Sequence, residues 1–229
     1  MIHLEREGDV FVLRFDAAEN RFRPDGVRAW HEALDEVEAA GSPAALVTTG
    51  TGKFYSNGLD LEWMLGDAND EERATYIPSV LGVMARVLTF PTATVAAING
   101  HAFGAGAQLS LAHDQRVMRR ERGFWCMPEI DMGAPLHPGM TALIQARLPH
   151  QAAHEVIVTG TRYSAEHAQR MRIVDHVAAE DEVLPRAIEI AAALAGKAHP
   201  AMTQLKTGMY PGVLEALARG MEAVGSVAD

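Results

Sequence analysis

The sequence predicts an α/β domain that ends in a helical tail. Short apolar runs recur at residues 10–15, 44–49, 94–98 and 115–118, and stretches of helical periodicity separate the first three. From about Pro138 onwards the pattern is mainly helical. No linker rich in Gly, Pro or Ser divides the chain, and no repeat or low-complexity tract is visible, so one domain is the economical reading.

Val10 to Phe15 reads as a strand, Asp25 to Ala39 as an amphipathic helix, and Ala44 to Thr49 as a short buried strand. A second helix spans Glu71 to Phe90, with Ile77, Leu81, Met84 and Leu88 at helical spacing, and stops before Pro91. The run Thr94 to Ile98 is the next strand. A glycine-rich turn follows it, then a helix after Gly106 and a strand from Gln115 to Met118. Helices are expected over 138–148, 151–158, 164–171, 180–195 and 199–224. Strands separated by helices imply crossover connections and a largely parallel sheet.

Composition narrows the function. A chain of 229 residues, 48% hydrophobic and 22% charged, is long enough for one sizeable core. A formal charge of −10 argues against nucleic acid or an anionic membrane as the main partner. The single cysteine, Cys126, excludes an internal disulfide and a multi-cysteine metal site. A reducing cytoplasm is the compartment expected, since no basic and apolar leader opens the chain and its last residues do not read as a peroxisomal address. The longest apolar stretch, 94–112, is interrupted by Asn99, His101 and Gln108 and is not a membrane span.

The chemistry concentrates in three segments. Asn99-Gly100-His101-Ala102-Phe103-Gly104-Ala105-Gly106 links a strand to a helix, where free backbone N–H groups favour developing negative charge. Lys53 to Leu61 places Gly58 in a similar turn. Two such turns on adjacent strands can aim two donors at one carbonyl oxygen and trap an enolate. The third segment, Phe124 to Gly133, carries Glu129 and Asp131.

Other residues have plainer readings. Asp60 is expected to cap a helix, Asp114 to be structural, and Cys126 to be an inert buried thiol. Met64, Met127 and Met132 suit core positions or an acyl pocket. His101 and His113 lack a third ligand at sensible spacing, so no metal site is expected. The glycines do not match a dinucleotide fingerprint.

At Phe54-Tyr55-Ser56-Asn57-Gly58-Leu59-Asp60-Leu61, Ala97 to Gly106, Asp114 and Met127-Pro128-Glu129-Ile130, the chain resembles the crotonase (enoyl-CoA hydratase/isomerase) family. Thr159 to Glu166 and Ile173-Val174-Asp175 are similar to the family pattern as well. The resemblance covers roughly residues 2–195 and implies a crotonase-like ββα spiral over 1–195, followed by a C-terminal helical segment over 196–229. It also implies a homotrimer or a dimer of trimers that binds acyl-CoA, with coenzyme A entering as part of the substrate and no separate cofactor.

Position by position, the resemblance puts the oxyanion-hole N–H groups at Leu59 and Ala105, where many members have glycine in place of Ala105. It implies substrate contacts at Ser56, Asn57, Gly58, Leu59, Asp60, Gly104 and Ala105. Arg21 and Arg23 lie where basic residues could meet CoA phosphates, or are solvated loop arginines. The departure lies at Gln108. Hydratases of the family carry a glutamate there and a second one at the position of Glu129, and Gln108 cannot serve as a base. One carboxylate suits removal of a proton from C2 and its return at C4, the reaction of a 3,2-trans-enoyl-CoA isomerase in fatty acid degradation. The alternatives are a hydratase or other crotonase reaction, with Asp131 or a residue from elsewhere standing in for the missing carboxylate, or a CoA-thioester-binding scaffold with little catalysis.

Overall fold

The computed structural model describes residues 1–219. The chain opens with a hairpin of β1 (Ile2–Glu7) and β2 (Val10–Phe15), followed by α1 (Pro24–Ala39). Three similar passes come next. β3 (Ala45–Gly50) leads into the short β4 (Phe54–Ser56), then α2 (Leu61–Gly66) and α3 (Asp70–Leu88). β5 (Ala93–Ile98) leads into β6 (His101–Phe103) and α4 (Ala105–Ala112). β7 (Gln115–Arg119) leads into β8 (Trp125–Cys126) and α5 (Pro138–Arg147). The remainder is α6 (His150–Thr159), α7 (Ala165–Arg170), β9 (His176–Ala178), α8 (Val183–Ala192), α9 (Pro200–Met209) and α10 (Pro211–Ala218).

Each pass gives its long strand to one sheet and its short strand to another. The large sheet runs β1-β2-β3-β5-β7-β9, parallel throughout except for the opening hairpin. The small sheet runs β4-β6-β8, all parallel. This is the ββα spiral that the resemblance implies.

The central strands β2, β3, β5 and β7 of the large sheet are buried on both faces, which is why they read as largely apolar runs, while the edge strand β1 is mostly exposed. Val10, Val12, Ala45, Val47 and Val95 pack against Val183, Ala187 and Ala191 of α8. Their neighbours Phe11, Leu13, Leu46 and Ala96 face the main core, with Trp30 and Leu34 of α1 and Leu81 and Met84 of α3. The two-residue alternation of strand side chains sorts one sequence run between two cores.

The helix α4, buried along its whole length, holds the site in place. The Arg147 guanidinium collects the carbonyls at its C-terminal end, donating to Leu111 O at 2.8 Å, His113 O at 2.5 Å and Asp114 O at 3.3 Å. Asp114 accepts from the Thr94 amide at 2.9 Å and from Lys206 Nζ at 2.7 Å, a structural role that ties α9 to β5. His113 is buried with Nδ1 on Leu109 O and Nε2 on Thr48 Oγ1, and burial pulls its pKa down to about 4.

Several boundaries differ from the sequence reading. The second helix ends at Leu88, two residues short of Phe90, because Thr89 is its cap ahead of Pro91. The helix expected over 180–195 is confined to Val183–Ala192, with a 3-10 turn at Ala195–Lys197. The single helix expected over 199–224 is two, because Pro211 starts a new one after Tyr210; residues 220–224 of that stretch lie outside the described residues. The short strands β4, β6, β8 and β9 pass unread, since two or three residues carry no periodicity.

Candidate active site

Two turns leave neighbouring strands of the small sheet and meet. One passes from β4 through Asn57 and Gly58, the other from β6 through Gly104 into α4. Gly58 has φ +80°, and a Cβ there would stand 2.8 Å from Phe103 O and 3.1 Å from Ala105 N. Gly104 has φ +51° and also needs the freedom that glycine alone provides. A side chain at Gly58 would wedge the turns apart.

Close approach brings together the N–H groups of Leu59 and Ala105. Ala105 is the first residue of α4, so no intrahelical acceptor exists for its amide. Neither N–H has a hydrogen-bond acceptor among the described residues. Both residues line one cavity of about 460 Å³.

Glu129 comes from the turn after β8, the third strand of the small sheet. The turn is held by Asp131 N donating to Pro128 O at 3.0 Å and Ala134 N donating to Glu129 O at 3.0 Å. The carboxylate reaches across the start of α4, with Oε1 3.4 Å from where a Cβ on Gly104 would stand. Its Oε2 is buried and unpaired among the described residues. Burial pushes the Glu129 carboxyl up from 4.5 to about 7, against a smaller opposing effect of its own backbone N–H.

The cavity wall is mainly apolar, with Leu61, Met64, Ile77, Leu136 and Met140 around the carboxylate. Glu129 is the only carboxylate among the described residues that line it. Asp131, considered as a second acid, is exposed and lies outside the wall. Its carboxylate packs on Gly160, the cap of α6, with Oδ2 2.7 Å from where a Cβ on that glycine would stand. The segment is a turn and not a strand, so residues two apart do not share a face.

Of the residues expected to touch substrate, Asn57, Gly58, Leu59, Gly104, Ala105 and Glu129 line the cavity. Ser56 and Asp60, also expected to touch substrate, are not among the residues that line it. Ser56 is buried behind the turn, where Oγ donates to Asn20 O at 2.6 Å and accepts from Gly58 N at 3.2 Å. Asp60 caps α2 by accepting from Trp63 N at 3.2 Å, and stands 3.6 Å from both Arg21 and Arg23. Arg21 reaches the cavity wall while paired with Glu19 at 2.6 Å; Arg23 lies over the Trp63 ring.

The methionines divide. Met64 and Met132 line the cavity, and Met127 is core. Sequence reasoning missed Leu136, His137 and Met140 as wall residues. Leu136 and His137 precede α5 in a segment without periodicity, and Met140, inside α5, belongs to the core as well as the cavity wall. His137 also caps α5, accepting from Gly139 N at 3.0 Å and meeting Arg219 O at 3.0 Å. Cys126 is buried, with Sγ donating to Gly160 O at 3.3 Å, and burial pushes its thiol up to about 11.

A profile of the Enoyl-CoA hydratase/isomerase family matches residues 5–227. The chain belongs to the enoyl-CoA hydratase/isomerase (crotonase) family. The match runs past residue 195, where the motif resemblance stops. Among its relatives, Enoyl-CoA delta isomerase 2, peroxisomal, of Arabidopsis thaliana is 33% identical over 224 residues, covering 92% of each chain. A carnitinyl-CoA dehydratase of Salmonella agona is 31% identical over 211 residues, covering 90% of this chain and 78% of that one. The fold matches that of a Mycobacterium tuberculosis enoyl-CoA isomerase with TM-score 0.85 at 24% identity, over 94% of this chain and 93% of that one. Human mitochondrial delta3-delta2-enoyl-CoA isomerase has TM-score 0.81 at 22% identity, over 94% and 85%. No helix of the described residues is long and apolar enough to cross a membrane.

Proposed function

We propose that this crotonase-family protein isomerises 3-enoyl-CoA thioesters to 2-enoyl-CoA with Glu129 as the shuttling base. The observation that carries the reading is the lone Glu129 carboxylate in an apolar cavity, beside two unpaired backbone N–H groups. The thioester oxygen accepts from Leu59 and Ala105. Glu129 takes a proton from C2, and the C–H electron pair delocalises over C2, C3 and C4 and onto that oxygen. The protonated Glu129 then gives the same proton to C4, leaving the double bond between C2 and C3. Electrons and atoms balance with no separate cofactor, because the thioester is the electron sink.

A base with a pKa near neutrality suits this return trip, since it must both take and release the proton. A preorganised donor aimed at the oxyanion is worth about 3–4 kcal/mol. Asn57 and Gly58 would contact the pantetheine arm, and Arg21 the phosphates after leaving Glu19. Trimeric assembly, a cytoplasmic setting and a part in fatty acid degradation complete the proposal. The relatives named as delta isomerases support it, whereas the relative named as a dehydratase keeps water addition in the test.

The assay uses purified protein with 3-enoyl-CoA and, separately, 2-enoyl-CoA. Conversion of the first without hydration of the second is expected, and Glu129→Gln should lower turnover about 10²–10⁴-fold while acyl-CoA still binds. Hydration of 2-enoyl-CoA would replace the isomerase reading. Binding without turnover of either would leave a CoA-thioester scaffold.

A further inference from the structure

Tyr76 is buried on α3 and does not line the cavity, yet its hydroxyl touches the turn that presents the Leu59 N–H. The hydroxyl donates to Phe22 O and accepts from Asp60 N at 2.8 Å. Both directions are fixed, because a carbonyl only accepts and a backbone N–H only donates. Burial pushes the Tyr76 phenol up to about 12, so the donated proton stays in place through the neutral range.

Phe22 closes the circuit. Its N–H donates to Gly58 O at 2.8 Å, and Phe22 pairs with Leu59 as an isolated parallel bridge. Hydrogen bonds thus run from Tyr76 to Phe22, from Phe22 to Gly58, and from Asp60 back to Tyr76, with Leu59 in the middle. The link to Gly58 sets the direction of the donor. Gly58 C=O and Leu59 N–H belong to one planar trans peptide, so they point opposite ways. With that carbonyl held on Phe22, the Leu59 N–H is aimed away from Phe22. Gly58, at φ +80°, has no Cβ to resist rotation of this peptide, so an outside hold is needed. Ser56 Oγ accepts from Gly58 N and fixes only the preceding peptide.

We propose that Tyr76 is a positioning residue for the oxyanion hole, its hydroxyl tying Phe22 to Asp60 so that the Leu59 N–H stays aimed at the thioester oxygen. The inference rests on the reading of Leu59 as an oxyanion donor. Tyr76 touches no reacting atom and moves no proton. Its effect falls on the step in which charge grows on the oxygen, where a misaimed donor costs most.

Tyr76→Phe keeps the ring and removes the hydroxyl. In folded protein, kcat for 3-enoyl-CoA isomerisation should fall about tenfold or more while KM changes less than about threefold. Tyr163→Phe is the control for losing a tyrosine hydroxyl: Tyr163 Oη donates to Glu155 at 2.9 Å, and Tyr163 pairs with β8, on the far side of the small sheet from the Gly58 turn. That variant should lose stability and leave kcat within about twofold. Orientation is read in ligand-free protein from the residual dipolar coupling of the Leu59 N–H, which should change in Tyr76→Phe while that of Ala105 holds. Unchanged kcat, or an unmoved Leu59 coupling, in folded Tyr76→Phe overturns the proposal. If Tyr76→Phe does not fold, wild-type protein labelled with carbon-13 at tyrosine Cζ takes its place. The Tyr76 resonance should shift when hexanoyl-CoA binds, because an acceptor on the Leu59 N–H polarises the hydrogen bonds around it; a resonance that does not move overturns the proposal. If the wild type isomerises nothing, the functional reading fails, and the Leu59 coupling still decides whether Tyr76 orients that N–H.

Discussion

Replacing Glu129 by Gln should stabilise the fold while removing its activity, and the gain should depend on pH. Glu129 is held at a pKa of about 7, against 4.5 for an ordinary glutamate, because burial in an apolar wall disfavours its charge. The native state therefore keeps a proton that the unfolded chain releases between about pH 4.5 and 7. Stability falls as pH rises through that window, and the loss is complete above it. A displacement of that size corresponds to about 3 kcal/mol. Water entering the cavity screens part of this cost, so that figure is the ceiling. Gln has nearly the shape of protonated Glu and never ionises. Chemical denaturation of both proteins at pH 5 and pH 8 should show near equality at the lower pH and a gain of about 1–3 kcal/mol for Glu129→Gln at the higher. A difference that does not change with pH, or a variant less stable at pH 8, would refute the claim that Glu129 is ionised at a desolvation cost.

Further outcomes follow from the same geometry. The kcat/KM for isomerisation should rise with pH to a plateau, with a single midpoint near the free-enzyme pKa of about 7, because one group takes and returns the proton; a bell-shaped profile in steady-state assays would point to a separate acid. Ala105→Pro removes one N–H at a helix position that tolerates proline, so kcat should drop about 10²–10³-fold while circular dichroism stays unchanged. Gly58→Ala forces a side chain into φ +80° and to within 2.8 Å of Phe103 O, so it should destabilise the fold by about 1–3 kcal/mol in denaturant titrations and lower activity as well.

Much of this architecture was legible because buried parallel strands announce themselves as unbroken apolar runs. Val95 to Ile98 and Ala45 to Val47 have no polar residue to hide behind. The short strands of the small sheet were not legible, since Phe54–Ser56 and Trp125–Cys126 are defined by pairing partners distant in sequence. The two turns that meet beside the cavity were legible from glycines that only a close approach of backbones requires. The wall was less so: Ile77 has the helical spacing of a core residue, and nothing local shows that one end of its helix faces a cavity instead. Asp60 and Ser56 sit inside the motif without lining the cavity, because a turn that presents two N–H groups must itself be held by short polar side chains.

The contrast between Glu129 and Asp131 shows how one turn gives two acids different surroundings. Both are acidic, two residues apart, in one turn. The backbone of that turn sends one carboxylate over Gly104 into an apolar wall and the other onto Gly160 at the surface. Only the first is desolvated enough to hold its proton near neutrality. Two carboxylates in the cavity would be able to hold a water molecule between them and deliver it to C3. With Asp131 outside, Glu129 is the one acid among the described residues that line the cavity. A second acid introduced as Gln108→Glu should raise the pH midpoint of Glu129 by like-charge repulsion, and an unmoved midpoint would mean that residue 108 does not face Glu129.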